Sequence, residues 1–313
     1  MSAGLGEALL GVDVAGIAFQ NPLVLAAGTA AYGRELVDVI DLDALGGLVT
    51  KAVSPEPRAG NASPRVAEFA HGMINAVGLA NPGVAEVKAT ELPWLAQHRG
   101  RARVLVNVVG RSVEDFAEVV TTLDDVSGLD GFELNVSCPN TRGGGLEFGA
   151  DHAVLADLVG RARKATKRPI FVKLSPTLAD VGGTARCAVD AGADGITVVN
   201  TVPGLVIDVE TRRPAVGFGS GGVSGAALLP VGVLATWRVS RAVSVPIIGV
   251  GGVRSAEDVV QYVLAGASLV GIGTAALADP RRPERIVRDL TRWCGRHGVG
   301  ALRALKGTLE WPS

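Results

Sequence analysis

Eight short apolar, β-branched runs recur along this chain, separated by stretches of helical periodicity, and they constrain its fold more than any other feature. The runs lie at 23–27, 48–51, 103–109, 132–136, 170–174, 195–200, 246–250 and 269–273. Between them the patterns at 112–123, 151–166, 178–191, 226–242 and 256–265 carry apolar residues at helical spacing. Ala-Gly-Ala at 191–193 and again at 265–267 supplies the glycine stop expected before a strand. Strand alternating with helix implies a parallel sheet, and eight strands imply closure into a (β/α)8 TIM barrel, an α/β fold. An open doubly wound sheet is the alternative. Two connections are too long for plain turns: 53–101, after the second strand, and 201–225, after the sixth. They read as long functional insertions on the rim of a single domain spanning 1–313. Within the second, VIDVETRRPAV has the form of a small hairpin.

Composition narrows the class. Hydrophobic residues make up 48% of the 313 and aromatics only 4%, so the core is built of Ala, Val, Leu and Ile, as buried parallel strands prefer. The net charge of −1 excludes non-specific nucleic-acid binding by phosphate neutralisation. Mean hydropathy is +0.33, yet the longest uncharged stretch, 214–237, reads as a glycine-rich loop entering a short apolar helix, not as a membrane span. Met1 to Asp13 lacks a basic region followed by an apolar one, so neither export nor membrane insertion is expected. Three scattered cysteines, Cys138, Cys187 and Cys294, form neither a disulfide framework nor a zinc cluster. A cytoplasmic protein without a metal site is expected.

The strand ends break the apolar rule. Ala27-Gly28, Lys51, Asn107, Asn135, Lys173, Asn200, Gly251-Gly252 and Gly273-Thr274 close the eight runs. Lysine is almost never buried without a partner, and in a barrel these positions converge on the C-terminal rim, where active sites sit. The small residues after the seventh and eighth strands, in GVGGVRSAED and GIGTAA, fit a phosphate site, with Ser255 as a helix N-cap. A G-x-G-x-x-G match at Gly217, Gly219 and Gly222 follows no clear strand and lacks the acidic residue about 20 positions on, so it is rejected as a dinucleotide motif. Cys294 and His297 read as a helix end, and the arginines from 281 to 303 as a solvated helix face paired with Asp279, Glu284 and Asp289. Cys138 stands just past the fourth strand beside Ser137 and Asn140. Reactive rim thiol and inert core residue both remain open for it.

Taken together, NPLVLAAGT, EPRAGNASPRV, GMINAVGLANPG, ELNVSCPNT, FVKLSP, VVNT, GGVSGAAL, IIGVGGV and GIGTA resemble the motifs of dihydroorotate dehydrogenase, in that family's order, from Asn21 to about Gly300. Cysteine within NVSCPN and the absence of an N-terminal membrane-associating extension resemble class 1, closest to the 1B catalytic subunit. The resemblance implies FMN-dependent oxidation of (S)-dihydroorotate to orotate in pyrimidine biosynthesis, Cys138 removing the C5 proton and the C6 hydride passing to FMN. It implies that Asn75, Asn135, Asn140, Asn200 and Thr201 hold the pyrimidine, whose amide edges suit side chains that both donate and accept. Lys51 and the loop Asn75, Ala76, Val77, Gly78 and Leu79 would meet the carboxylate. Ala27, Gly28, Thr50, Lys51, Asn107, Asn135, Lys173, Val199, Ser224 and Gly225 would contact the flavin, with Gly251, Gly252, Gly273 and Thr274 toward its phosphate. Partners implied are an electron-transfer subunit carrying FAD and an iron–sulfur cluster, leading to NAD, and a second copy of the chain. A fumarate-linked class 1A-like homodimer and an FMN barrel acting on another pyrimidine are the alternatives. TRGGGLEFG and GTAAYG depart from the family pattern after the cysteine and in the first rim loop.

Overall fold

The computed structural model describes residues 8–137 and 148–312. Cys138 and Asn140 lie outside the described residues. The chain enters as an antiparallel hairpin, β1 (Val12–Val14) with β2 (Ile17–Phe19), and then begins the barrel with β3 (Leu23–Leu25) and β4 (Gly47–Val49). The first insertion follows. It contributes a second hairpin, β5 (Val66–Phe69) and β6 (Gly72–Asn75), and a helical segment running from Val84 to His98. The barrel continues with β7 (Arg103–Val108), β8 (Gly131–Asn135), β9 (Ile170–Leu174) and β10 (Gly195–Val198). The second insertion holds β11 (Val202–Gly204), β12 (Ile207–Asp208), β13 (Arg213–Pro214) and β14 (Gly221–Gly225), and β15 (Ile247–Val250) with β16 (Leu269–Ile272) completes the ring. The closed order β10-β15-β16-β3-β4-β7-β8-β9 is parallel throughout. This is a TIM barrel, with the insertions after the second and sixth barrel strands.

Period-two alternation sorts the barrel residues. Phe132, Leu134, Ile170, Val172, Leu174, Ile196 and Val198 face outward into the layer shared with the helices. Val24, Val49, Leu105, Phe171, Ile248 and Leu269 face inward and form an apolar floor, plugged from below by Val14, Ile17 and Phe19 of the first hairpin. Every one of these side chains is at least nine-tenths buried. The helices begin where sequence places caps. Ser112 accepts from the Asp115 amide, Asp151 from Ala153 and Val154, and Ser255 forms a full capping box with Asp258. No helix among the described residues is long and apolar enough to cross a membrane.

The insertions are more ordered than loops. β12 and β13 form the small hairpin expected of VIDVETRRPAV. The glycine-rich stretch after Arg213, read above as loop, instead contains β14, the centre of a four-stranded antiparallel sheet in the order β11-β14-β6-β5. That sheet joins the two insertions across the rim. Its glycines permit the close pairing: a Cβ on Gly222 would overlap the Thr201 hydroxyl, and one on Gly221 the Asn75 carbonyl. The C-terminal helix Arg282–Arg296 buries Ile286, Leu290 and Cys294, while its arginines pair with Asp279, Glu284, Asp289 and Glu257.

Candidate active site

A cavity of about 860 Å³ opens at the C-terminal rim, between the barrel strands and the four-stranded sheet. Ligand cavities run from roughly 300 to 1,000 Å³, so it has room for more than one small ring system. Ala27, Gly28, Lys51, Asn75, Val77, Gly78, Leu79, Asn107, Asn135, Lys173, Val199, Asn200, Thr201, Ser224, Gly225, Gly251, Gly252, Gly273 and Thr274 all line it. Two expected contacts do not. Thr50 sits one step out of phase with Val49 and Lys51, is fully buried, and its hydroxyl accepts from the Asn107 amide at 3.2 Å. Ala76 packs outside the cavity with Ile74 and Val216. Thr50 therefore ties β4 to β7, and Ala76 anchors its loop from behind.

The loop 75–79 is held by the EPRAGNASPRV segment. Asn61 donates from its amide to the Val77 carbonyl at 3.1 Å and from Nδ2 to the Ala76 carbonyl at 3.1 Å, and the Ala76 amide donates to Arg65 O at 2.7 Å. Arg65 in turn donates from Nε to Asn61 O at 2.6 Å and from Nη2 to Ala59 O at 2.8 Å. Gly78 has a φ of +72°, and a Cβ there would press on Asn61, so glycine is required on both counts. Asn75 leaves β6 with its Nδ2 donating to Gly222 O at 3.2 Å.

On the opposite wall the asparagines form a chain. Asn200 Nδ2 donates to Ser137 Oγ at 2.7 Å, Ser137 Oγ donates to Asn135 Oδ1 at 3.1 Å, and the Thr201 amide donates to Asn200 Oδ1 at 2.8 Å. Ser137, which the sequence marks only as a neighbour of Cys138, links the two asparagines. Such a chain fixes which way each amide faces, so the remaining donors and acceptors are preset for a planar polar ligand.

The far end of the cavity is backbone. Gly251 and Gly252 adopt φ of +130° and +73°, and a Cβ on Gly252 would overlap the Leu229 amide. Tyr262, fully buried, donates its hydroxyl to Gly251 O at 2.7 Å, and burial holds that phenol above its ordinary pKa. Thr274 Oγ1 donates to Ser224 Oγ at 2.8 Å, tying the last barrel strand's exit to β14. Neither Tyr262 nor its tie to Gly251 is visible in sequence, where it is one apolar-face residue of a helix.

Charge is concentrated at the base of the cavity. Lys173 is 6% exposed, and its one ion-pair partner among the described residues is Glu133, with Nζ 3.9 Å from Oε1. Glu133 is 1% exposed and also accepts from Asn107 Nδ2 at 2.8 Å. A buried lysine with one carboxylate partner among the described residues, lining the cavity, is arranged for an electron-rich ligand. Fold and site together define the class, a TIM barrel whose rim cavity is lined by hydrogen-bonding side chains over a buried lysine.

Comparison with known proteins places it further. The dihydroorotate dehydrogenase family matches residues 9–293. The catalytic subunit of dihydroorotate dehydrogenase B (NAD(+)) from Pelobacter propionicus is 43% identical over 299 residues, covering 96% of this chain and 98% of that protein. A Solibacter usitatus protein, provisionally named dihydroorotate dehydrogenase A (fumarate), is 46% identical over 302 residues, covering 96% and 99%. A B-type catalytic subunit from Geobacillus kaustophilus is 42% identical, covering 93% and 92%. The chain belongs to the dihydroorotate dehydrogenase family and is an oxidoreductase.

Proposed function

We propose that the chain oxidises (S)-dihydroorotate to orotate with FMN in the rim cavity, as the catalytic subunit of a class 1B enzyme. The observation that carries this reading is Lys173, a buried cation facing a cavity large enough for a flavin and a pyrimidine together. The residues fit FMN. Gly28 has no atom within 4 Å of a notional Cβ, leaving open space where a ring system would lie, and Gly251, Gly252, Gly273 and Thr274 offer a side-chain-poor cradle for a phosphate. Bound there, FMN would supply the two-electron acceptor for the hydride leaving C6.

The chain's own residues do the rest. Cys138 takes the C5 proton; a thiol of ordinary pKa about 8.5 works as a base through its thiolate fraction. Asn75, Asn135, Asn140, Asn200 and Thr201 orient the pyrimidine edges. Lys51 and the 75–79 loop receive the carboxylate. Lys173 would hold the flavin's pyrimidine edge, where its cation offers a preorganised electrostatic role. An electron-transfer subunit carrying FAD and an iron–sulfur cluster, bound to a homodimeric cytoplasmic core, would supply the route to NAD. A fumarate-linked homodimer is the second reading, favoured by the Solibacter relative.

Anaerobic titration of the purified protein with dihydroorotate tests the proposal. The visible flavin band should bleach, and Cys138→Ala should slow bleaching by about 10²-fold or more, the loss expected for a general base. A yellow protein that dihydrouracil-type substrates bleach and dihydroorotate does not would overturn the substrate. Turnover with fumarate and no partner would assign the second reading.

A further inference from the structure

We infer that Glu133 is a positioning residue for this site: its buried carboxylate pairs with Lys173 and fixes its side chain at the base of the cavity. The inference rests on the flavin reading above and extends it to a residue beneath the cavity's lining. Alternation along β8 puts Glu133 and Asn135 inside the barrel, with Phe132 and Leu134 in the outer core. Glu133 thus lies one layer below Asn135, between the apolar floor and the cavity. An unpaired carboxylate there would be costly, and so would an unpaired ammonium. The two offset each other at 3.9 Å, and Asn107 Nδ2 holds the carboxylate from the opposite side at 2.8 Å.

Among the described residues Lys173 has no second counter-ion. Lys173 is in register with Asn135 on β8 and with Thr197 on β10, both uncharged. Thr197 is buried and its hydroxyl has no hydrogen-bond partner among the described residues. Phe171, two residues back on the same strand face, is apolar. The other titratable groups lining the cavity among the described residues are Lys51, Glu68, His71 and Arg254, and Lys173 forms no ion pair with Glu68. Removing the Glu133 charge therefore leaves Lys173 buried with no counter-ion among the described residues.

FMN affinity of the apoprotein is the test. Glu133→Gln keeps the shape and the Asn107 bond. Its FMN dissociation constant should be at least tenfold above that of the wild type, whereas in the Lys173→Met background the same substitution should change it less than threefold. A Glu133→Gln dissociation constant within threefold of wild type, or an equal rise in both backgrounds, overturns the role of Glu133 alone. Wild type that binds no FMN overturns the flavin reading on which it rests. Should Glu133→Gln fold poorly, urea unfolding of the four proteins decides. The Glu133 substitution should shift the unfolding constant at least tenfold less in the Lys173→Met background, and equal shifts would overturn the pairing.

Discussion

The floor and the rim of this barrel are made by the same strands, a few residues apart, and they obey opposite rules. On β9, Phe171 packs among Val24, Val49, Leu105, Ile248 and Leu269, and two residues later Lys173 enters the cavity with Glu133 as its counter-ion. On β7, Leu105 belongs to the floor and Asn107 to the site. Inward positions nearer the N-terminal ends of the strands are spent on packing, those nearer the C-terminal ends on chemistry. The lesson is that a substitution's effect here depends on the layer it falls in more than on how buried it is.

That contrast can be broken most decisively at β9. Phe171→Ala should cost about 3–5 kcal/mol of stability, the usual loss for removing a buried phenylalanine. Lys173→Met, at a residue almost as buried, should also destabilise, because it leaves Glu133 an unpaired buried carboxylate, but it alone should slow flavin reduction by dihydroorotate, by about 10²–10³-fold. Urea unfolding and anaerobic stopped-flow on both variants check it. Equal destabilisation with equal loss of reduction would dissolve the division into layers.

Much of this division was legible in the sequence. All eight runs became barrel strands because continuous β-branched segments between helical patterns leave few other solutions, and polar residues at their ends marked the rim. What escaped was decided by tertiary contact. GGVSG has no strand propensity of its own, and it forms β14 only because β6 and β11 pair with it on both sides. Thr50 and Ala76 were expected in the site from their motifs, whereas the structure buries both outside the cavity lining. Glu133 stood in plain view within ELNVSCPNT, but a charge inside a buried strand gains meaning only when its partner on the next strand is known.

The comparison sharpens further just outside the rim. Tyr262 is on the helix Ala256–Ala265, yet its hydroxyl supports the Gly251 carbonyl at the cavity's glycine-rich end. Tyr262→Phe should cost about 1 kcal/mol, one buried hydrogen bond, since the ring still fills its space. If the cradle depends on that support, FMN affinity should fall severalfold alongside. A stability loss with unchanged FMN affinity would make Tyr262 part of the packing and not of the site.

The smallest expected effect concerns a second lysine at the opposite end of the barrel. Lys306 donates to Ser268 Oγ at 2.8 Å, just ahead of β16, and has no carboxylate in ion-pair range among the described residues. Partial burial of its ammonium lowers its pKa. In the window between that lowered value and the ordinary 10.5, the unfolded chain binds more protons than the folded one, so stability must rise with pH there. Below the window the full penalty applies. Relative to Lys306→Met, the wild type should therefore gain stability as pH rises toward 10.5, by under about 1 kcal/mol because the residue as a whole is exposed and water screens it. Urea midpoints of the two proteins across alkaline pH measure the difference. A flat or inverted difference would mean that Ser268 compensates the ammonium fully, and a lysine without a counter-ion would then be as well accommodated below the barrel as Lys173 is, paired with Glu133, at its rim.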